Sequence, residues 1–306
     1  MFDIIGKKWF YFIFSGLIIV PGIISLVLYG VRPAIDFTGG TLIELRIKNP
    51  ASSAGRQESE KVTSEIRKAG ESQKIEISTI QQSGSDSYLL RLKPIDKDQN
   101  QKLQETLRKN LGDVTELSFE TVGPSIGQET TNNAIKAVII ASVAIILYIS
   151  FAFRQVPKPY SSYKFGICAV FALIHDVLVM LGLFSIFGHF FKVEVDTLFI
   201  TALLTIMGFS VHDTIVVFDR IRENLRKMPG VQFSKVVNES ILQTLARSLS
   251  TSLTVLLTLF ALLLFGGESI HWFVIALLIG ITSGTYSSIF NAAPLLVVWD
   301  EKARKT

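Results

Sequence analysis

Residues 208–224 read GFSVHDTIVVFDRIREN, a segment whose first half is apolar enough for a lipid bilayer except for the adjacent His212 and Asp213. A charged side chain at the centre of a membrane helix costs about 2.5–3.5 kcal/mol on insertion scales. A membrane protein that keeps such a residue is expected to use it. The rest of the sequence indicates whether this segment spans a membrane and what the Asp213 carboxylate does there.

The composition is that of an integral membrane protein. Of the 306 residues, 49% are hydrophobic and only 18% are charged, and the mean hydropathy is +0.42. This is more apolar than a soluble domain of that length. The pI of about 9.0 does not indicate nucleic acid, because the basic residues gather beside apolar runs, as membrane topology requires. The single cysteine, Cys168, excludes an intramolecular disulfide.

About 20 apolar helical residues cross the hydrocarbon core, and six stretches qualify: 9–29, 134–153, 165–187, 195–218, 249–265 and 270–298. Lysine and arginine concentrate in alternate connections, whereas the short opposite loops 188–194 and 266–271 contain only Lys192. The positive-inside rule therefore predicts that both termini are cytoplasmic. The first span is expected to be an uncleaved signal anchor, because its apolar run is long and no small-residue cleavage site follows it.

A polar segment of about 100 residues separates the first two spans. Alternating apolar residues predict strands, and amphipathic patterns predict helices. The strands are expected at 41–47, 74–80, 88–93 and 114–122, the helices at 56–70 and 98–110, and a turn at SGSDS (83–87). The order βαββαβ is that of a ferredoxin-like domain.

The predicted fold is an α-helical polytopic membrane protein with six transmembrane helices and one α+β, ferredoxin-like extracytoplasmic domain. Residues 1–30 form the cytoplasmic N-terminus and the first helix, residues 31–131 the extracytoplasmic domain, and residues 132–306 a five-helix bundle with a cytoplasmic C-terminus.

Two His-Asp pairs lie within apolar spans, His212-Asp213 and His175-Asp176. Such pairs also bind metal in phosphohydrolases, but that chemistry needs further histidine and aspartate ligands, and the chain has only four histidines. We favour a carboxylate that gains and loses a proton, and Asp213 ranks above Asp176. The alternative is that each carboxylate is permanently paired or only joins helices by hydrogen bonds. Together the two pairs could form one polar path.

Arg247 begins the fifth span and is followed by a hydroxyl-rich sequence, SLSTSLT (248–254). An arginine at a helix end often extends to the interface. It could instead control the charge of Asp213 beside a hydrated path. Where the fourth span ends, a charged cluster is expected to anchor the helix at the interface: Asp219, Arg220, Arg222 and Glu223.

Two glycine motifs flank the polar segment. IDFTGG (35–40) contains Asp36, Gly39 and Gly40, and VGPSIG (122–127) contains Gly123, Pro124 and Gly127. They are either ordinary turns or a hinge for the outer domain, because glycine accepts large backbone changes. In the sixth span, Gly280-x-x-x-Gly284 favours close helix packing.

In this order and topology, IDFTGG, VGPSIG, LIHDV (173–177) and HDTIVVFDRIREN (212–224) resemble the SecF family of the bacterial SecD–SecF protein-export complex. That complex is part of the resistance–nodulation–division superfamily of proton-driven transporters. The resemblance covers nearly the whole chain. The family's essential carboxylate matches Asp213 and its partner arginine matches Arg247. The family has Asn and Ser where this chain has His212 and Phe218, so the role of His212 stays open.

The resemblance implies a non-enzymatic subunit of the bacterial inner membrane, without cofactor or metal. It would pair with SecD and assist the SecYEG translocon after SecA has acted, with YajC as a further candidate partner. The proton-motive force would drive late translocation of preproteins and their release outside. Three other functions are considered: a half-sized exporter of the same superfamily, a phosphohydrolase and a passive scaffold. Sodium also stays open as the coupling ion.

Overall fold

A computed structural model describes residues 3–48, 56–82, 86–154, 157, 160 and 162–303. The chain forms two compact units. One is Pro33–Ala134, and the other combines Met1–Arg32 with Ile135–Thr306. Residues 83–85 of the predicted SGSDS turn lie outside the described residues, as do the basic residues Lys158, Arg304 and Lys305.

The six predicted spans are confirmed as six helices that are long and apolar enough to cross a membrane. They are α1 (Lys8–Tyr29), α5 (Pro124–Ala152), α6 (Ser162–Phe191), α7 (Thr197–Lys227), α8 (Phe233–Phe265) and a sixth span made of α9 (His271–Ser287) and α10 (Ala293–Ala303). Several helices start well before their apolar stretch, because a polar segment of more than one turn continues the same helix. α5 begins at Pro124, where proline suits the first turn.

Small residues set the closest helix contacts in the membrane unit. A Cβ at Gly182 of α6 would lie 2.7 Å from the Gly22 Cα of α1, and one turn away the Ser25 and Ser185 hydroxyls are 2.8 Å apart. The predicted close packing at Gly280-x-x-x-Gly284 is confirmed. Both glycines face α7, where added Cβ atoms would meet Ile206 and Ser210.

The sixth span is interrupted by a π-helical turn, Ser288–Ala292, between α9 and α10. Its Asn291 Nδ2 donates to the Ser15 Oγ of α1 at 2.8 Å. Nearby, the Tyr286 hydroxyl donates to the Tyr11 carbonyl at 2.8 Å. Single π turns in membrane helices are frequent at functional sites. Here the turn lies next to the buried polar groups described below.

The smaller unit begins with one helical turn, α2 (Ile35–Thr38). It continues as β1 (Gly40–Lys48), α3 (Arg56–Ser72), β2 (Ile77–Gln82), β3 (Ser87–Leu92), α4 (Lys97–Leu111) and β4 (Asp113–Val122). The sheet is antiparallel with strand order β2-β3-β1-β4, which confirms the predicted βαββαβ, ferredoxin-like arrangement. β2 begins later than expected, because Lys74 has a positive φ of 56° and the Ile75 amide closes a turn onto the Gly70 carbonyl.

The core of the smaller unit follows the predicted pattern of apolar residues. Alternate residues of the strands and one face of each helix are buried together, including Ile43, Leu45, Ile66, Leu90, Leu103 and Leu107. The start of α4 is stabilised by a capping box, in which Asp96 accepts from the Gln99 amide and the Gln99 side chain accepts from the Asp96 amide.

The α1–α6 contact generates a stability prediction. Gly182→Ala should lower the thermal stability of the purified protein in detergent, because backbone atoms of α1 must move to admit the methyl group; a loss of about 1–3 kcal/mol is expected for such overpacking. Gly16→Ala is the matched control, since an added Cβ there meets nothing within 4 Å. Equal melting temperatures for the two variants would contradict the close crossing.

Candidate functional site

The Asp176 carboxylate is the most completely hydrogen-bonded buried group in the described membrane unit. Its side chain is 1% exposed. Oδ2 accepts from Ser210 Oγ of α7 at 2.5 Å and from Ser287 Oγ of α9 at 2.7 Å. Oδ1 accepts from Ser283 Oγ of α9 at 2.7 Å and lies 3.0 Å from His175 Nδ1. Three serine hydroxyls and one imidazole therefore meet at this carboxylate, and they join α6, α7 and α9.

Asp213 is equally buried but lacks such a shell. It is 2% exposed, and its Oδ2 has no hydrogen-bond partner among the described residues. The Thr285 hydroxyl of α9 lies near the same carboxyl group. A buried carboxylate with an unpaired oxygen is costly when ionised. Among the described residues, Asp213 is therefore the less completely hydrogen-bonded of the two buried carboxyl groups.

Hydroxyl groups extend away from Asp213 on α8 and α9. The side-chain oxygens of Thr285 and Ser252 are 2.6 Å apart, and the Thr285 hydroxyl also donates to the Ile281 carbonyl oxygen of the same helix. One turn earlier on α8, Ser248 is 2% exposed, and its Oγ has no partner among the described residues. Two orphaned buried oxygens, on Asp213 and Ser248, thus occur in one polar region of the bundle.

The hydroxyls around Asp176 continue along α7 to the turn that carries Asp213. Ser210, which donates to Asp176, accepts from the Thr214 and Ser288 hydroxyls at its carbonyl oxygen. Thr214 and Ser288 are themselves 2.8 Å apart, and Thr214 follows Asp213 in the chain. The hydroxyl network thus extends from Asp176 to Thr214 and Ser288, and a polar path that joins the two His-Asp pairs stays a prediction.

Arg247 and His212 do not join this interior directly. Both side chains are exposed on the surface of the unit, and no salt bridge links Arg247 to Asp213 within the described part of the chain. The predicted pairing of Asp213 with Arg247 is therefore not a direct contact in this structure. The role of His212 stays a prediction.

The charged cluster at the end of α7 forms a local network. Arg220 Nη1 lies 2.5 Å from the Glu223 carboxylate, and Arg220 Nε donates to Gln243 Oε1 of α8 at 2.7 Å. Arg222 pairs with Asp219. Arg220 lies seven residues after Asp213, about 10 Å along the helix axis, and its partners are Glu223 and Gln243 instead. The network joins the ends of α7 and α8.

The two glycine motifs meet in the smaller unit. Gly39 has φ +70°, and a Cβ there would lie 2.9 Å from the Pro124 Cα; a Cβ at Gly127 would lie 2.7 Å from the Gly39 nitrogen. Gly40 also has a positive φ of 135°. IDFTGG is therefore packed directly against the start of α5, beginning just after Gly123, and only glycine fits at the contact. Asp36 lies in α2 beside this contact.

The sequence singled out both carboxylates but not the hydroxyls that surround them. Ser210, Ser283, Ser287 and Thr285 were not predicted as site residues. The available signal was the spacing of Ser283 and Ser287 by four residues within the hydroxyl-rich stretch ITSGTYSS (281–288), which places them on one helix face. Among the described residues, no group of three or more His, Cys, Asp and Glu side chains is arranged to hold a metal ion.

Comparisons with known proteins agree with the motifs. Residues 102–302 match the family described as protein export membrane protein SecD/SecF, C-terminal, and residues 24–51 match the SecD/SecF GG motif. The chain is 47% identical over 310 residues to the protein translocase subunit SecF of Thermobaculum terrenum, covering 99% of this chain and 95% of the relative. It is 42% identical over 302 residues to the SecF of Anaerolinea thermophila, covering 98% and 94%.

A solved structure is also similar. The crystal structure of SecDF, a translocon-associated membrane protein from Thermus thermophilus, superposes with a TM-score of 0.81 at 34% identity. The match covers 98% of this chain and 39% of that longer one. The matched segments, the full-length relatives and the shared architecture lead to one conclusion: the chain belongs to the SecD/SecF family of protein-export membrane proteins, among its SecF subunits.

Proposed function

We propose that this protein is the SecF half of a proton-driven accessory complex of the Sec translocon. It would pair with a SecD subunit, because the similar SecDF chain carries both names in one polypeptide. The complex would act in the bacterial inner membrane beside SecYEG, after SecA and with YajC as a further candidate component. It would use the proton-motive force for late preprotein translocation and release outside the cell membrane.

The observation that carries this proposal is the unpaired oxygen of Asp213. A carboxylate at membrane depth is retained for a function, and this one lacks the four donors that Asp176 has. Asp213 is therefore the carboxylate that exchanges a proton. Asp176 and His175 hold α6, α7 and α9 in position around it.

The cycle begins when Asp213 takes up a proton from the outer side and becomes neutral. The loss of charge weakens its attraction to Arg247 and changes the contacts of α7 with α8 and α9. Each proton that crosses the membrane supplies about 2.3 kcal/mol per 100 mV. A few protons are sufficient to make one conformation of the complex dominant.

The smaller unit is proposed to be extracytoplasmic and to move with this cycle. Both termini would then be cytoplasmic, and the charged cluster of Asp219, Arg220, Arg222 and Glu223 would lie at the inner interface. The contact of Gly39 with Pro124 and Gly127 links the start of the unit to the start of α5. A displacement of α5 would therefore act directly on the IDFTGG segment.

Asp213→Asn tests the coupling. In inverted membrane vesicles that contain the SecD partner, the variant should lose the part of late preprotein translocation that depends on the proton gradient, because the amide cannot carry the proton. The measurement is the translocation rate with and without the gradient. Asp300→Asn, at the end of the sixth span, is the charge-matched control. Full gradient stimulation in Asp213→Asn would favour the passive scaffold instead.

Asp176→Asn is expected to lower the free energy of unfolding, in contrast to Asp213→Asn. The amide nitrogen cannot accept from the serine hydroxyls, so a loss of about 1–3 kcal/mol is expected for the unsatisfied donors. Asp213→Asn should change stability by less than about 1 kcal/mol, since its Oδ2 has no partner to lose. Thermal unfolding of both variants in detergent checks the difference. If Asp213→Asn were the less stable variant, the assignment of the two roles would be wrong.

Purification separates the export complex from the half-sized exporter. Co-expressed with a SecD subunit, the chain should purify as a hetero-complex, because six spans and one outer domain make up only half of a twelve-span transporter. Size-exclusion chromatography with mass measurement distinguishes this assembly from a homo-trimer. A stable homo-trimer in the presence of SecD would favour the exporter.

A further inference from the structure

A cleft of about 610 Å³ opens at the end of the membrane unit where α1 begins and α10 ends. Its walls come from three parts of the chain: residues 3–8 around the start of α1, residues 228–239 in the α7–α8 connection and the first turns of α8, and Glu301 of α10. The volume is within the range of sites that bind small ligands. The proposed proton coupling does not use this cleft.

The segment before α1 holds the walls of the cleft together. Ile4 and Ile5 are buried, and their backbone amides both donate to Asn238 Oδ1 of α8, at 2.8 and 3.2 Å. Lys8 Nζ lies 2.6 Å from each carboxylate oxygen of Glu301. These contacts join α1, α8 and α10 around the cleft, and the charges of Lys8 and Glu301 neutralise each other.

Three further charged side chains line the cleft, and none of them is in an ion pair with another described residue. Lys235 is exposed near the start of α8. Glu239 follows four residues later, on the same helix face, and it accepts from Gln243 Nε2 at 3.1 Å instead of pairing with Lys235. Asp3 Oδ1 accepts from the Gly6 amide at 2.8 Å. The cleft therefore offers one cation and two carboxylates to a ligand.

Aromatic residues place the cleft at the level of the lipid headgroups. Trp9 directly follows Lys8 and is 63% exposed. Trp299, two residues before Glu301, packs edge-to-face on Tyr163 of α6, with the ring centres 5.9 Å apart. Tryptophan and tyrosine gather at the membrane–water interface. A lipid headgroup is therefore the polar ligand that lies next to this cleft in a membrane.

We propose that the cleft binds the headgroup of a phospholipid with a primary amine, phosphatidylethanolamine. Lys235 donates to the phosphate, and Glu239 and Asp3 accept from the ammonium group. Opposite charges about 6 Å apart along the helix axis suit a phosphate and an ammonium that are joined by two carbons. The acyl chains lie along the exposed apolar face of α1, which includes Phe10 and Ile13.

The charges of the cleft also define which headgroups bind poorly. Phosphatidylglycerol is anionic and has no ammonium group for the two carboxylates. Phosphatidylcholine has the same charges as phosphatidylethanolamine, but its quaternary amine has no N–H to donate. A hydrogen bond to a charged group contributes about 1.5–3 kcal/mol, and each 1.4 kcal/mol changes affinity tenfold. We therefore expect phosphatidylethanolamine to bind at least about tenfold more tightly than either of the other lipids.

The test uses the full chain co-purified with a SecD subunit, stripped of lipid in detergent and then supplied with each of the three lipids carrying the same acyl chains. Native mass spectrometry measures the bound lipid, and the melting temperature is recorded on the same samples. Lys235→Met and Glu239→Gln should each lower the affinity for phosphatidylethanolamine about tenfold. Both should keep the melting temperature of the lipid-free protein, because neither side chain has an ion pair to lose. The matched controls are Lys164→Met and Asp300→Asn, at the same end of the bundle but outside the cleft lining.

Three results would overturn the lipid site. The first is equal binding of the three lipids to the wild type, and the second is an unchanged preference for phosphatidylethanolamine in both cleft variants. The third is loss of SecD from the cleft variants with no change in lipid preference, which would make the cleft a subunit contact. Glycerophosphoethanolamine, which has the headgroup without acyl chains, is added at the same concentration. An equal shift in melting temperature with this compound would identify a soluble ligand and exclude membrane lipid as the source.

Discussion

A carboxyl group inside an apolar bundle needs hydrogen-bond partners from the protein itself, and the membrane unit is built around this requirement at Asp176. Three serine hydroxyls and one imidazole surround the carboxylate. Serine is short, so α7 and α9 can reach Asp176 only if the helices lie close together. Glycine provides that proximity, because Gly284 lies against Ser210 and Gly280 against Ile206. The polar network and the glycine contacts therefore depend on each other.

Asp213 differs from Asp176 because it has fewer hydrogen-bond partners among the described residues. The Asp176 carboxylate is hydrogen-bonded at both oxygens and holds three helices together; Asp213 is as deeply buried and has an oxygen without a partner in the part of the chain that the structure describes. The proposed proton coupling assigns one group to hold the helices in register and the other to change its charge. The chain places the two groups on adjacent helices, and the hydroxyls of Ser210 and Thr214 extend the network of Asp176 along α7.

The sequence was a good guide wherever one local pattern decides the structure. Hydropathy predicted the six spans, alternation predicted the four strands, and the cost of a charge in lipid pointed to Asp176 and Asp213. The sequence did not predict the hydrogen-bond partners that come from distant helices. Nothing local indicates that Ser210 and Ser283 reach the same carboxylate, or that Ser248 faces inward while Ser250 faces outward. The contact of Gly39 with Gly127 also depends on tertiary packing, because a whole domain lies between them.

The π-helical turn at Ser288–Ala292 has a consequence for the length of the sixth span. A π turn holds one residue more than an α turn, so every later residue is rotated by about 100° from the face that a regular helix would give it. This is how Ser287 turns toward α6 while Asn291 turns toward α1. Deletion of one residue here would restore a regular helix and leave the buried side of α10 on its present face, because the missing residue and the lost π turn compensate for each other. Insertion of one residue into the regular part of α10 would instead rotate all later residues by about 100°, so the segment should accept the loss of one residue more readily than a gain.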